Sequence, residues 1–173
     1  LKDAVRHSYT SGGRRESVAE HSWRITLMAY FVSDEFPEAD LLKIMKMCLI
    51  HDLGEAFTGD IPAFEKTDKD SEKEADVLGE WVKTLPEPFD KEMAELYQEM
   101  EEQQTLEARI YKALDKLEAL IQHNESDIKT WISLEYDLQM TYGNEQVKFS
   151  EYLTELRAKV REDSIQKIQK KGC

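Results

Sequence analysis

The chain predicts an all-α fold. Three observations point to it. Only seven glycines and four prolines interrupt 173 residues. Good helix formers, among them Ala, Leu, Glu, Lys and Met, are abundant. No segment shows a convincing strand alternation. The length suffices for a full hydrophobic core. With no internal repeat or low-complexity tract, residues 1–173 read as one domain, with a core over about 17–142 and a C-terminal helix over about 149–170.

The elements follow in order. Residues 6–15, Arg-His-Ser-Tyr-Thr-Ser-Gly-Gly-Arg-Arg, read as a basic loop. Ser17 and Glu20 form a capping box, so a helix starts there and runs to about Phe36, with Pro37 beyond it. In it, the stripe Trp23, Leu27, Tyr30 and Phe31 reads as core. Asp40 caps a second helix through about Ala56. Residues 57–68 are a loop, marked by Thr58-Gly59-Asp60 and Pro62. Further helices read over about 69–84, 87–102, 105–124 and 127–141. Tyr142-Gly143-Asn144 breaks the chain before the last, over about 149–170.

Charge and cysteine usage narrow the function. A net charge of −13 repels a phosphate backbone, so a nucleic-acid polymer is not an expected partner. A small anionic substrate is compatible if local cations cancel the field. Cys48 in an apolar helix and Cys173 at the end make no disulfide framework. There is no secretory signal pattern, and no apolar run approaches the ~20 residues of a membrane span. The expectation is a cytoplasmic protein without membrane contact. The chain begins at Leu1 rather than a methionine, and a short preceding piece is expected.

The most informative feature is His51-Asp52. It follows the apolar run Met45-Lys46-Met47-Cys48-Leu49-Ile50. Polar groups buried without partners cost about 1–3 kcal/mol each, and a metal ion satisfies imidazole and carboxylate together. Alone, the pair is most simply a solvated helix end. Two further residues accompany it. His21 lies in a helical segment upstream. Asp115 sits beside Ile110, Leu114, Leu117, Leu120 and Ile121, the core stripe of its own helix. Alone, Asp115 is most simply a solvated residue at the edge of that stripe, and His21 a satisfied core-edge histidine.

The order His, His-Asp, Asp resembles the HD domain of metal-dependent phosphohydrolases. Three stretches are similar to the branch that contains the 5′-deoxynucleotidases: Glu20-His21-Ser22, the run from His51-Asp52-Leu53-Gly54-Glu55 through Thr58-Gly59-Asp60-Ile61-Pro62, and Asp115-Lys116-Leu117-Glu118-Ala119. The HD dipeptide is weakly specific; its combination with the following Glu and Thr-Gly-Asp-Ile-Pro is strongly specific. The resemblance covers roughly residues 1–165.

It implies one divalent metal (Mn, Co, Fe, Zn or Mg) held by His21, His51, Asp52 and Asp115, with open positions for water and a phosphate oxygen. His51 and Asp52 are about 100° apart on a helix, so the ion belongs in a cleft between helices, with Asp115 on a facing one. His123 is about 12 Å beyond Asp115 along its helix, too far to share the ion. The chain also lacks the Gly-Tyr-Pro signature of the HD proteins that cleave cyclic dinucleotides.

Glu55 and Asp60 match active-site carboxylates of the branch. Glu55, one turn after His51, suits orienting or deprotonating a water; Asp60 suits a proton at the leaving oxygen or a sugar hydroxyl. Arg6 matches a phosphate-site arginine, although His7 stands where the branch has an aromatic residue. Arg14 and Arg15 are the other candidate phosphate cations. The expected activity is hydrolysis of nucleoside or deoxynucleoside 5′-monophosphates to nucleoside and phosphate. The alternatives are phosphodiester or pyrophosphate cleavage, and a helical interaction module with a structural metal. A homodimer is expected, with Trp81, Phe89, Trp131 and Tyr136 as aromatic surface, though each is more simply core.

Overall fold

The structure, a computed structural model, describes residues 1–171; Cys173 lies outside them. The chain opens with an antiparallel hairpin, β1 (Val5–Tyr9) and β2 (Arg15–Ser17). The helices are α1 (Val18–Phe31), α2 (Leu41–Ile50), α3 (Glu55–Thr58), α4 (Asp68–Val82), α5 (Phe89–Glu102), α6 (Leu106–Glu125), α7 (Ser133–Thr141) and α8 (Glu151–Lys171). Short 3-10 turns at Ser33–Glu35 and Ile128–Thr130 follow α1 and precede α7.

The helix starts follow the capping chemistry. Ser17 accepts from the Glu20 amide while Glu20 accepts from the Ser17 amide, and Asp40 accepts from the Lys43 amide. Thr67 and Asp70 form a second capping box at α4. Each such cap satisfies amides that a helix start leaves unpaired.

α6 is the axis of the molecule. Ala108, Ile110, Ala113, Leu114 and Leu117 on it are fully buried, and α1, α2, α5 and α8 pack around it. The core joins them to Ile25 and Ala29 of α1, Met47 and Cys48 of α2, and Leu153 and Val160 of α8. Arg24 clamps α1 to the end of α6, bonding Glu125 at 2.6 and 2.8 Å and Gln122 at 2.7 Å. That clamp sets His21, one turn earlier, across from Asp115.

Several expectations are corrected. The basic stretch before α1 is a hairpin, not a loop. Its turn uses Gly13 at φ +81°, a conformation that favours glycine. Hydrophobic alternation is absent because the covered side chains are polar: Ser8 and Glu16 are almost fully buried and bond to each other at 2.9 Å. The helix expected to reach Ala56 ends at Ile50. From there the chain tightens into i→i+3 bonds, such as Leu53 N to Ile50 O and Glu55 N to Asp52 O. Glu74 packs over Gly54 in this turn: a Cβ there would lie 2.6 Å from Cγ of Glu74 and force that side chain to move. The segment expected as helix from 127 begins with a 3-10 turn, and α7 starts only at Ser133.

The stripe expected as core on α1 faces outward. Trp23 is 64% exposed and Phe31 70%, with Tyr30 and Leu27 beside them. Ile25 and Ala29 take the inward positions instead. Phe89 is also exposed, whereas Trp131 is buried, edge-on to Tyr136 and His123.

Candidate functional site

α1, the end of α2 and α6 bring His21, His51, Asp52 and Asp115 together. His51 Nε2 lies 2.9 Å from Asp52 Oδ2 and 3.9 Å from Asp115 Oδ1. His21 Nε2 lies 3.3 Å from Asp115 Oδ1 and 3.8 Å from Asp52 Oδ2. Both Nε2 atoms are buried and lack a hydrogen-bond partner. Their other nitrogens are engaged: His21 Nδ1 with Glu118, His51 Nδ1 with the Cys48 carbonyl at 2.9 Å. A carbonyl can only accept, so His51 carries its proton on Nδ1 and turns the Nε2 lone pair inward. In its neutral form His21 takes the same tautomer, its Nδ1–H donating to the Glu118 carboxylate.

Electrostatics favour positive charge at this point. Burial opposes ionisation of Asp115, yet Lys116 at 3.1 Å and Lys112 at 3.3 Å hold its carboxyl well below the usual range. Asp52 is likewise pushed down against burial, chiefly by His51. Burial and Arg6 act against a proton on His21, but Asp115 and Glu118 prevail and raise it to about 9. A divalent cation at the same point meets two imidazoles and two ionised carboxylates, a donor set that borderline metals accept. The residues fit such an ion.

The HD domain family model matches residues 1–157. The chain belongs to the HD-domain family. Membership implies a divalent metal. Relatives include 5′-deoxynucleotidase HDDC2 of Homo sapiens, 32% identical over 119 residues, covering 68% of this chain and 57% of that protein. The protein of the same name from Dictyostelium discoideum is 30% identical over 152 residues, covering 83% and 75%. The match thus spans little more than half the length of the human relative. A solved structure of a protein described as a predicted metal-dependent phosphohydrolase, from Magnetospirillum magnetotacticum, is similar with a TM-score of 0.83 and 26% identity, over 96% of this chain and 87% of that one. A conserved hypothetical protein from Pyrococcus furiosus gives 0.68 and 30%, over 94% of each.

Beside the HD centre opens a cavity of about 430 Å³, walled by Asp52 and Asp115 and by Arg6, Glu55 and Asp60. This is the size range of small-molecule sites. Arg6, from β1, reaches in: Nη1 lies 3.6 Å from Asp52 Oδ2 and Nε 3.2 Å from Glu16 Oε2. Glu55 starts α3 and is buried, with Oε2 unpartnered. Burial first, then the charges of Asp52 and Asp60, pushes its carboxyl up to about 9. Asp60 is also raised, by burial against the pull of Arg6.

Arg14 and Arg15 are not brought to this cavity. Arg14 pairs with Glu20 on the outer side of the hairpin, and Arg15 stacks 4.4 Å over the Tyr9 ring and donates to the His7 carbonyl. The cavity instead receives Lys66, Lys112 and Lys116, which the reading of the sequence did not single out. It also missed Glu118 as the partner of His21. The signal for both was spacing: Lys112 and Glu118 stand three residues either side of Asp115, on one face of α6.

Farther along the same cavity lie His7, His123 and Glu135. Burial lowers His123 to about 4. Against burial, Glu135 is held ionised by His7 and His123.

Proposed function

We propose that this chain is a metal-dependent phosphohydrolase that hydrolyses nucleoside 5′-monophosphates. The observation that supports this best is the pair of free Nε2 atoms facing two ionised carboxylates at the wall of a cavity with Arg6 beside them. His21, His51, Asp52 and Asp115 hold a single ion at this centre, with Mn, Co, Fe, Zn and Mg as the candidates. When bound, the ion supplies Lewis-acid stabilisation of charge on the phosphoryl group.

The chain's own groups do the rest. Arg6 binds a phosphate oxygen, and Lys112 and Lys116 add positive potential on the same side. Glu55 in its ionised form takes a proton from the attacking water, and a bound cation beside Asp52 would favour that form against the burial that raises its pKa. Asp60 handles the proton at the leaving 5′ oxygen. Water adds to phosphorus, the bond from phosphorus to the 5′ oxygen breaks, and nucleoside and inorganic phosphate leave.

An interaction module with a structural ion has less support, because it gives no reason for a buried, unpartnered Glu55 at a cavity. Cleavage of phosphodiesters or pyrophosphates is less favoured because Arg6 lies against Asp52 and Lys112 and Lys116 lie against Asp115, which gathers positive charge at the HD centre, where a terminal phosphate would sit. The test is a panel of 5′- and 3′-monophosphates, dinucleotides and DNA with each metal. Turnover restricted to 5′-monophosphates is expected; equal turnover of 3′-monophosphates contradicts the reading.

The protein is further proposed to be cytoplasmic and a homodimer. Among the described residues no helix is long and apolar enough to cross a membrane. The outward face of α1 around Trp23 and Phe31 supports pairing with a second copy. Sedimentation of wild type and Phe31→Glu checks it: a dimer that the substitution dissociates is expected, and a wild-type monomer contradicts it.

A further inference from the structure

We infer that His7, His123 and Glu135 form a second metal site, separate from the HD centre, that takes a zinc-type divalent ion. The three residues come from β1, α6 and α7, and their donor atoms lie within 4.8 Å of one another. His7 Nε2 is 3.2 Å from Glu135 Oε1, and His123 Nε2 is 3.6 Å from the same oxygen. A tetrahedral ion with bonds of about 2.0–2.1 Å separates its donors by roughly 3.3–3.4 Å. The two spacings bracket that edge.

The donors are also held in place. Glu135 Oε2 accepts from the Ile132 amide at 2.7 Å, which fixes the carboxylate and leaves Oε1 facing the rings. Trp131 packs edge-on against His123 at 6.1 Å, and Phe64 against His7 at 5.4 Å. The His7 and His123 rings lie 5.2 Å apart. Glu135 and His123 are buried, and His7 is half-buried at the cavity wall. Two imidazoles and one carboxylate leave a fourth position open toward the cavity, the pattern of sites that take water or a ligand atom there.

The site cannot be part of the HD centre. His123 and Asp115 stand eight residues apart on α6, about 12 Å along its axis, so no side chain bridges ions at both places. The expectation of one metal concerned the HD centre alone. This site rests on its own three residues and stands or falls apart from the proposed activity. The competing arrangement is a hydrogen-bonded triad, with both rings donating to Glu135.

Zinc stoichiometry separates the two. Chelator-stripped protein is dialysed against micromolar zinc, desalted and assayed for metal, with circular dichroism as the check on folding. His123→Gln and His7→Gln are each expected to hold one equivalent fewer than wild type. Asp52→Asn is expected to keep the equivalent that those variants lose. Equal zinc content in wild type and both variants overturns the site and leaves the triad. Should the variants not fold, equilibrium dialysis of wild type decides: two classes of zinc site are expected, and one class overturns the proposal.

Discussion

Glu118 holds His21. The carboxylate, fully buried, accepts from Nδ1 of a ring that is itself fully buried, and so presents Nε2 to Asp52 and Asp115. A partner of this kind sets both tautomer and orientation of a metal-binding imidazole. Glu118→Ala should weaken metal binding by ~10–100-fold, while Glu118→Gln, which can still accept, should lose less. Competition with a chelating dye measures both; unchanged affinity in Glu118→Ala would sever the link.

The four proposed ligands predict a loss of metal with a loss of stability. His51→Ala and Asp115→Ala should bind the ion poorly and melt at a lower temperature than the loaded wild type. An ion that binds only the native state stabilises it. In Asp115→Ala, Lys112 and Lys116 also lose their shared carboxylate, so that variant should be the less stable even in chelator. Full occupancy in both variants would remove these residues from the ligand set.

Glu55 predicts both a rate effect and a pH effect. Glu55→Gln should keep the metal and lose ~10²-fold or more in kcat if the carboxylate is the general base. Burial and its acidic neighbours raise Glu55 from 4.5 to about 9. Its stabilising contribution is therefore fully present below about pH 4.5 and is lost as pH climbs toward 9. In chelator-treated protein, wild type should lose melting temperature between pH 5 and 9 more steeply than Glu55→Gln. Parallel pH profiles would contradict the shift.

Arginine substitutions should divide by position. Arg6→Ala should lower kcat/KM for 5′-monophosphates without removing metal, since a phosphate contact lies outside the ligand set. Arg14→Ala should leave kcat/KM unchanged, because that side chain is exposed and paired with Glu20. Steady-state kinetics with metal analysis tests both. An Arg14 effect as large as that of Arg6 would return the hairpin's outer cations to the site.

The helical class, the caps at Ser17 and Asp40 and the core face of α6 were legible because each is local. A cap is decided within four residues, and an apolar stripe by its 3.6-residue period. The four metal-binding candidates were legible through a family pattern, since residues thirty to sixty positions apart carry no local sign of meeting. What tertiary structure alone decided is which side of an element faces what. α1 offers two apolar faces, and packing on α6 chose Ile25 and Ala29 over Trp23 and Phe31. The hairpin escaped notice because its covered face meets a charged site, so Ser8 and Glu16 stand where an apolar core would have imposed alternation. The meeting of His7 with His123 and Glu135 likewise depends on the hairpin folding back along α6. No periodicity records such a contact, because its physical cause is the packing of separate elements.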